Sequence, residues 1–484
     1  KCRFPRKPQP LDNNVVSRIF ILHNEFQNRM SLLLIIATLC ILFQAERGIF
    51  GTLSFLRLFK KIQSEKPLEK ENTPQIQNLY ILIPVLREQS SIEDTLLHLL
   101  EQENDHFNTK AVVITTIRER LNNPSENPLL TSSVISASLE NRKLKPFREK
   151  ILLIEENEPD GNMATQLNFA VDFLSSIAKP RDIYLLYNAD SIASPQTFSS
   201  LGEILTKTTE HFVFQQPCAY VKDIHRDAPS FLNALSIYQS WYCLGHESSL
   251  IRRYEEYSQK TEGGHTISRL GVIVGHGSGM TFETNTRNGG YPTDLLTEDL
   301  TFGFILSARN TPIISLPALE LADVPEKFID FIRQKSVWFW NYLGYASCYQ
   351  KMLSEGISQK KLIPLFLQGI GGGAYWFFSG VFILLPIFLG ITLDSAKLLL
   401  IAIASPLLFS ILPQYILFEM LPGVLRHQKL EQYANHMETV SFWKTTPWIL
   451  LVALTDSVGP WIASFQYLKS LFTGKLPKKY KTGD

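Results

Sequence analysis

Ile183-Tyr184-Leu185-Leu186-Tyr187-Asn188-Ala189-Asp190-Ser191 is the stretch whose reading decides the fold. Its first five residues are an unbroken apolar and aromatic run, the pattern of a strand buried on both faces, and such strands belong to parallel sheets covered by helices. The run stops at Asn188 and Asp190, two oxygen-bearing side chains one residue apart. Ligands of open α/β sheets bind beyond the carboxyl ends of the strands, so the acids just after strands are where chemistry is sought.

The same grammar extends to both sides. Leu79–Pro84, Ala111–Thr115, Ile151–Ile154 and Phe212–Phe214 read as further short strands. Between them, Ile92, Leu96, Leu97 and Leu100 follow Ser91 and Asp94, spaced as a capping box, and Met163, Leu167, Ala170, Leu174 and Ile177 form one helical stripe. Strand and helix in alternation predict an α/β, Rossmann-like domain with a mostly parallel sheet.

Outside this block the chain turns apolar. The uncharged run Met30–Phe43 needs Gln44–Phe50 to reach the length of a spanning helix, and an interfacial stretch with Arg57, Lys60 and Lys61 follows. Leu362–Leu393 carries no charge and holds Gly369, Gly371, Gly372 and Gly373, suited to close helix approach, and Leu398–Phe418 completes a membrane hairpin. Trp448–Leu468 is interrupted by Thr455, Asp456, Ser457, Gly459 and Pro460; an acid at membrane depth marks either a functional site or a broken helix facing protein. The expected division is a basic segment over 1–29, a transmembrane and interfacial helix over 30–60, a catalytic domain over 78–350, transmembrane helices over 362–393 and 398–421, a transmembrane or re-entrant helix over 447–468, and a basic tail over 469–484. The lysines of that tail favour a cytoplasmic end, whereas three full crossings after a cytoplasmic block place it outside. The chain begins at Lys1 and not at Met, so a segment upstream is expected.

A formal net charge of +1 gives no reason to expect a nucleic-acid partner, and the basic clusters beside apolar runs read as contacts with anionic membrane lipids or as topology signals. The five cysteines are odd in number and lack CxxC spacing, so neither a disulfide framework nor a zinc site is suggested. A transporter is disfavoured, because there is no repeated helical architecture and about half the chain is the soluble block.

Three segments carry candidate chemistry. Asn188-Ala189-Asp190 is either an ordinary turn or a hard-oxygen site for Mg or Mn beside a diphosphate. Thr297-Glu298-Asp299 follows the glycine-rich Gly275–Gly279 and opens a helix; its acids are either dipole caps or a general base. Gln334-Lys335-Ser336-Val337-Trp338 lies in an aromatic stretch that is either an interfacial belt or a platform for a sugar.

Taken in order, these segments resemble the family 2 glycosyltransferases, inverting enzymes with a GT-A fold that include the membrane-integrated cellulose, chitin and hyaluronan synthases. Ile83-Pro84-Val85-Leu86-Arg87-Glu88 is similar to the family's first strand and nucleoside loop, Gln166-Leu167-Asn168 to its donor-loop segment, Asn188-Ala189-Asp190 to its metal motif, Thr297-Glu298-Asp299 to its base motif, and Gln334–Trp338 to its Gln-x-x-Arg-Trp. The resemblance implies Asp299, with Glu298, as catalytic carboxylates, Asp299 being the general base. It implies Pro84, Arg87, Glu88, Glu119, Asn168, Asn188 and Asp190 at the nucleotide-sugar donor, a UDP-sugar by preference, with Asp190 holding Mg or Mn. His276, Gly277, Ser278, Gly279, Gln334 and Trp338 then face the acceptor, a growing glycan or a lipid-linked sugar. The implied location is the plasma (inner) membrane with the catalytic domain cytoplasmic. The sequence departs from the pattern at Asn188, at Val337 in place of Arg, and after the second strand, where Glu119 stands in for the usual acid. These departures motivate an alternative: a non-catalytic member that binds a nucleotide sugar or scaffolds polysaccharide assembly.

Overall fold

The computed structural model describes residues 13–64, 77–102, 107–121, 129–141, 143–207, 211–260, 268–295 and 297–473. The first twelve residues of the expected basic segment, Cys2 among them, and the lysines from Lys475 onward lie outside the described residues.

The strands are β1 (Gln77–Pro84), β2 (Phe107–Thr116), β3 (Ile151–Glu156), β4 (Ile183–Leu186), β5 (Ile192–Ala193), β6 (Val213–Gln215), β7 (Cys218–Ala219), β8 (Ser278–Thr281), β9 (Ile313–Ser315) and β10 (Glu320–Leu321). Seven of them form one sheet in the order β3-β2-β1-β4-β8-β6-β9, and β5-β10-β7 form a second, small one. Every pairing in the large sheet is parallel except those of β8, which runs antiparallel between β4 and β6. The fold is therefore mixed α/β with a mostly parallel sheet.

Alternation along β1 explains the layering. Tyr80 and Leu82 enter one core with Leu167, Ala170 and Leu174 of helix Met163–Ser175. Leu79, Ile81 and Ile83 point to the other face and pack with Ile92, Leu96 and Leu99 of helix Ile92–Glu101. Successive strand side chains leave on opposite faces, so a continuous apolar run requires cover on both. Asn162 starts Met163–Ser175 with a reciprocal cap to Thr165. The helix stops at Ser175, which leaves Ile177 exposed and off the stripe predicted for it. Ser91, by contrast, makes no capping bond; its hydroxyl donates to Glu88 (3.4 Å), while Asp94 pairs with Lys143.

Two units divide the chain: residues 49–380 with 411–484, which holds both sheets, and residues 1–48 with 381–410. In the first unit the stretch with Arg57, Lys60 and Lys61 is built into protein. Phe55, Phe59 and Ile62 are buried against Trp241, Phe418 and Leu421, and the Lys61 ammonium donates to the Ser315 carbonyl (3.1 Å). Burying each such aromatic side chain stabilises by roughly 1.5–3 kcal/mol, which overrides the interfacial position its charges suggested. In the second unit, Ala37, Leu389 and Leu398 pack together, and Gln44 bridges the Phe382 carbonyl (2.7 Å) to the Ser405 hydroxyl (2.9 Å).

Met30–Ser64, Ala396–His427 and Phe442–Thr473 are long and apolar enough to cross a membrane. Gln359–Phe377 and Ser379–Thr392 pass that test only as a bent pair, so the stretch 362–393 is two helices broken at Phe378. The last stretch also breaks, at Asp456-Ser457, and Asp456 faces protein, 2% exposed.

Candidate functional site

Because β8 is antiparallel, its entry lies beside the exits of its neighbours: Ser278 pairs with Leu186 of β4 and with Gln215 of β6. The Gly275–Gly277 segment is thereby placed at the carboxyl edge, alongside the turn that carries Asn188 and Asp190. The Gly277 N–H donates to the Leu186 carbonyl (2.7 Å), and its own carbonyl accepts from Gln216 (2.7 Å). Gly277 has φ +61°, and a Cβ there would lie 2.4 Å from Glu320 Oε2, so only glycine fits. The need for glycine at this point comes from the sheet and from Glu320.

The Asp190 turn is closed by the Asn188 N–H donating to the Ser191 hydroxyl (3.1 Å), and that hydroxyl donates to Glu320. Asn188 and Asp190 themselves are half-buried at the strand end. Lys222 donates to the Asp190 carbonyl (3.0 Å) and to Asp323 (2.9 Å). Burial pushes the Asp323 carboxyl up to about 7, against the pull of the Lys222 ammonium.

Asp299 sits at the other end of the glycine-rich segment. Its Oδ2 accepts from the Gly275 N–H (3.1 Å) and its Oδ1 from the Leu300 N–H (2.8 Å), so its orientation is fixed by the main chain at the start of helix Asp299–Ala308. Glu298 precedes it, buried, and makes no capping bond to the helix. One segment thus touches both candidate acids' surroundings: Gly275 binds Asp299, and the next residue, His276, reaches Glu320, which holds the Asp190 turn through Ser191.

His276 is turned inward. Its Nδ1 lies 2.9 Å from Glu320 Oε2 and its Nε2 3.4 Å from the Tyr220 hydroxyl. Burial alone would depress the imidazole's pKa, but the charge and hydrogen bond of Glu320 outweigh it and raise it to about 9. Glu247, on the π-helical turn Tyr242–Glu247, has its carboxyl pushed up by burial, against the Cys243 hydrogen bond and the charges of His276 and Lys335; the Asp299 charge adds to the rise. Single π-turns inside helices are enriched at functional sites.

The remaining predicted residues divide between edge and scaffold. Pro84, Arg87 and Glu88 leave β1, with Arg87 at φ +59°, an uncommon conformation for a residue other than glycine. Glu88 is tied by its N–H to Thr131 (3.0 Å). Glu119 is buried and accepts from the Thr131 N–H (2.9 Å), the Thr131 hydroxyl (2.8 Å) and Gln89 (2.7 Å), so it fastens the start of helix Thr131–Asn141. Its neighbour Arg118 turns back over the strand ends, donating to Thr116 (3.0 Å) and to Gln166 (2.9 Å), which in turn bridges the Val85 and Ile114 carbonyls. Asn168 is paired on both sides with the main chain of Tyr291: its Oδ1 accepts from the N–H (2.9 Å) and its Nδ2 donates to the carbonyl (2.8 Å). Asn168→Ala is expected to cost about 1–3 kcal/mol by orphaning buried backbone groups. A fall in the thermal midpoint with unchanged nucleotide affinity marks this clamp; an affinity loss without a stability loss marks a donor contact.

Gln334 and Trp338 share helix Phe328–Ser354. Gln334 accepts from Gln239 (3.3 Å), and Trp338 is half-buried with the Lys335 ammonium 4.3 Å from its ring centre. Lys335 is itself buried, with its ammonium 4.0 Å from Asp456 and about 5.5 Å from the rings of Tyr242 and Phe331. Neither Lys335 nor Glu320 was singled out from sequence. A lone acid inside the apolar run Ala318-Leu319-Glu320-Leu321-Ala322 was the available signal.

No protein-family model matches the chain, and no curated protein matches it. Among solved structures, the mannosyltransferase PcManGT from Pyrobaculum calidifontis, in complex with GDP-Man and Mn2+, is similar over 86% of this chain and 98% of its own, at 14% identity and a TM-score of 0.42.

Proposed function

We propose that this chain is an inverting, metal-dependent membrane glycosyltransferase with a GT-A catalytic domain, moving a sugar from a nucleotide-sugar donor to a glycan or lipid-linked acceptor. The observation that carries the reading is the Gly275–Gly279 segment at the carboxyl edge of the sheet, bonded at Gly275 to Asp299 and joined through His276 and Glu320 to the Asp190 turn. Ligands of such sheets bind at that edge.

The half-buried Asp190 carboxylate and the Asn188 amide are hard oxygen donors one residue apart, a set that fits Mg or Mn, which keep further positions for phosphate and water. An ion held there would act as a Lewis acid toward the departing diphosphate. Asp299, aimed by two backbone N–H groups, takes the proton of the acceptor hydroxyl as that oxygen attacks the anomeric carbon from the face opposite the leaving group. The half-buried Gly275 backbone beside it permits close approach of the acceptor, and the exposed part of Trp338 is the aromatic contact for a sugar ring. The apolar helices hold the catalytic block at the plasma (inner) membrane, on its cytoplasmic side.

Purified protein incubated with a panel of labelled UDP- and GDP-sugars, with Mg and Mn compared, is expected to release nucleotide diphosphate from at least one donor and to stop on chelation. Silence across the whole panel, with nucleotide still bound, would point to the non-catalytic binding role instead.

A further inference from the structure

Strand register sets two metal-ligating side chains next to each other behind the Asp190 turn. β7 and β10 pair in parallel with Cys218 directly opposite Glu320, so both side chains leave the small sheet on one face. The third group, His276, arrives on the loop entering β8, which Gly277 fixes to β4. One ligand atom from each of Cys218, His276 and Glu320 lies within 4.8 Å of the others, and all three residues are buried. Among the described residues no other group of three His, Cys, Asp or Glu side chains meets that condition.

We propose that Cys218, His276 and Glu320 bind a zinc ion that fastens the small sheet to the glycine-rich segment. A thiolate, an imidazole and a carboxylate together form the mixed soft and hard set that zinc accepts, whereas Mg and Mn favour oxygen alone. The site is therefore distinct in chemistry from the one at Asp190, and it stands whether or not the chain transfers sugars. Supporting contacts of the kind that orient metal ligands are in place: the Ser191 hydroxyl holds the other oxygen of Glu320, and the Tyr220 hydroxyl approaches the His276 ring. Cys218 and His276 also line a small cavity, together with Gln216, Cys243 and Glu247. The spacing of the three ligands along the chain follows no linear zinc motif, since adjacent strands and a sheet-entry loop bring them together.

The test is elemental analysis of the full chain, purified in detergent and dialysed against metal-free buffer. About one zinc per chain is expected in the wild type and in Asp190→Ala, and none in Cys218→Ser or His276→Asn. Replacing zinc with cobalt(II) should give the wild type a near-ultraviolet thiolate-to-cobalt absorption band that Cys218→Ser lacks. Wild-type protein that neither retains zinc nor develops the cobalt band overturns the assignment, as does zinc retained by Cys218→Ser or lost equally from Asp190→Ala. If the variants do not fold, the wild-type cobalt spectrum decides alone.

Discussion

Asp299→Asn is expected to lower sugar transfer by about 100- to 10,000-fold while leaving nucleotide binding nearly intact. The carboxylate accepts from the Gly275 and Leu300 N–H groups, so both oxygens are already oriented toward backbone donors and the negative charge is fixed in place. An amide of the same shape keeps one acceptor, turns a donor toward one of those N–H groups, and has no basicity to offer an acceptor hydroxyl. Initial rates with the donor found by the panel, beside calorimetric nucleotide affinity, separate the two effects. Equal turnover by the variant would remove Asp299 from the chemistry, and a matching loss of nucleotide affinity would recast it as a binding or folding residue.

Lys335→Met carries the second large expectation, a loss of about 3–5 kcal/mol in stability, because it leaves a buried carboxylate without its countercharge. Lys335 and Asp456 are each 2% exposed, and the ammonium lies 4.0 Å from the carboxylate. Packing around the pair is tight: a Cβ on Gly459 would fall 2.6 Å from the Lys335 Cβ, and the Trp376 indole donates to the Asp456 carbonyl (3.0 Å). Lys335→Met combined with Asp456→Asn removes both charges and is expected to recover much of the loss. Thermal unfolding in detergent reads all three proteins against the wild type; a double variant no more stable than the single one would show that the two charges do not compensate each other.

The main strands were legible because their apolar runs are short, β-rich and bounded by turn residues, as in Leu79–Pro84 and Ile183–Leu186. What escaped was contact made across long separations. Strand β8 is Ser278-Gly279-Met280-Thr281, and its small residues hide its place in the sheet: a Cβ on Gly279 would meet the Phe214 ring at 2.2 Å and the Tyr184 carbonyl at 2.4 Å. Position 279 admits only glycine because its neighbours crowd it, and that crowding has no local signature. Among the candidate residues, the placement of Asp190 after a strand and of Asp299 at a helix start was legible. Glu119 was readable as an acid near a strand end, but not as the anchor of Thr131. Asp456 was readable as an anomaly, yet its partner could be identified only once helix Phe328–Ser354 had packed against helix Val458–Thr473.

The pairing of Cys218 with Glu320 also sets how much change this part of the chain tolerates. Strand side chains alternate in direction, so a single residue inserted between Leu319, whose carbonyl accepts from the Ser194 N–H, and Glu320 would turn Glu320 to the opposite side of its short sheet. That one edit would withdraw the carboxylate from Ser191, His276 and Cys218 at once. A library of length variants should therefore show this strand as a stretch of fixed length.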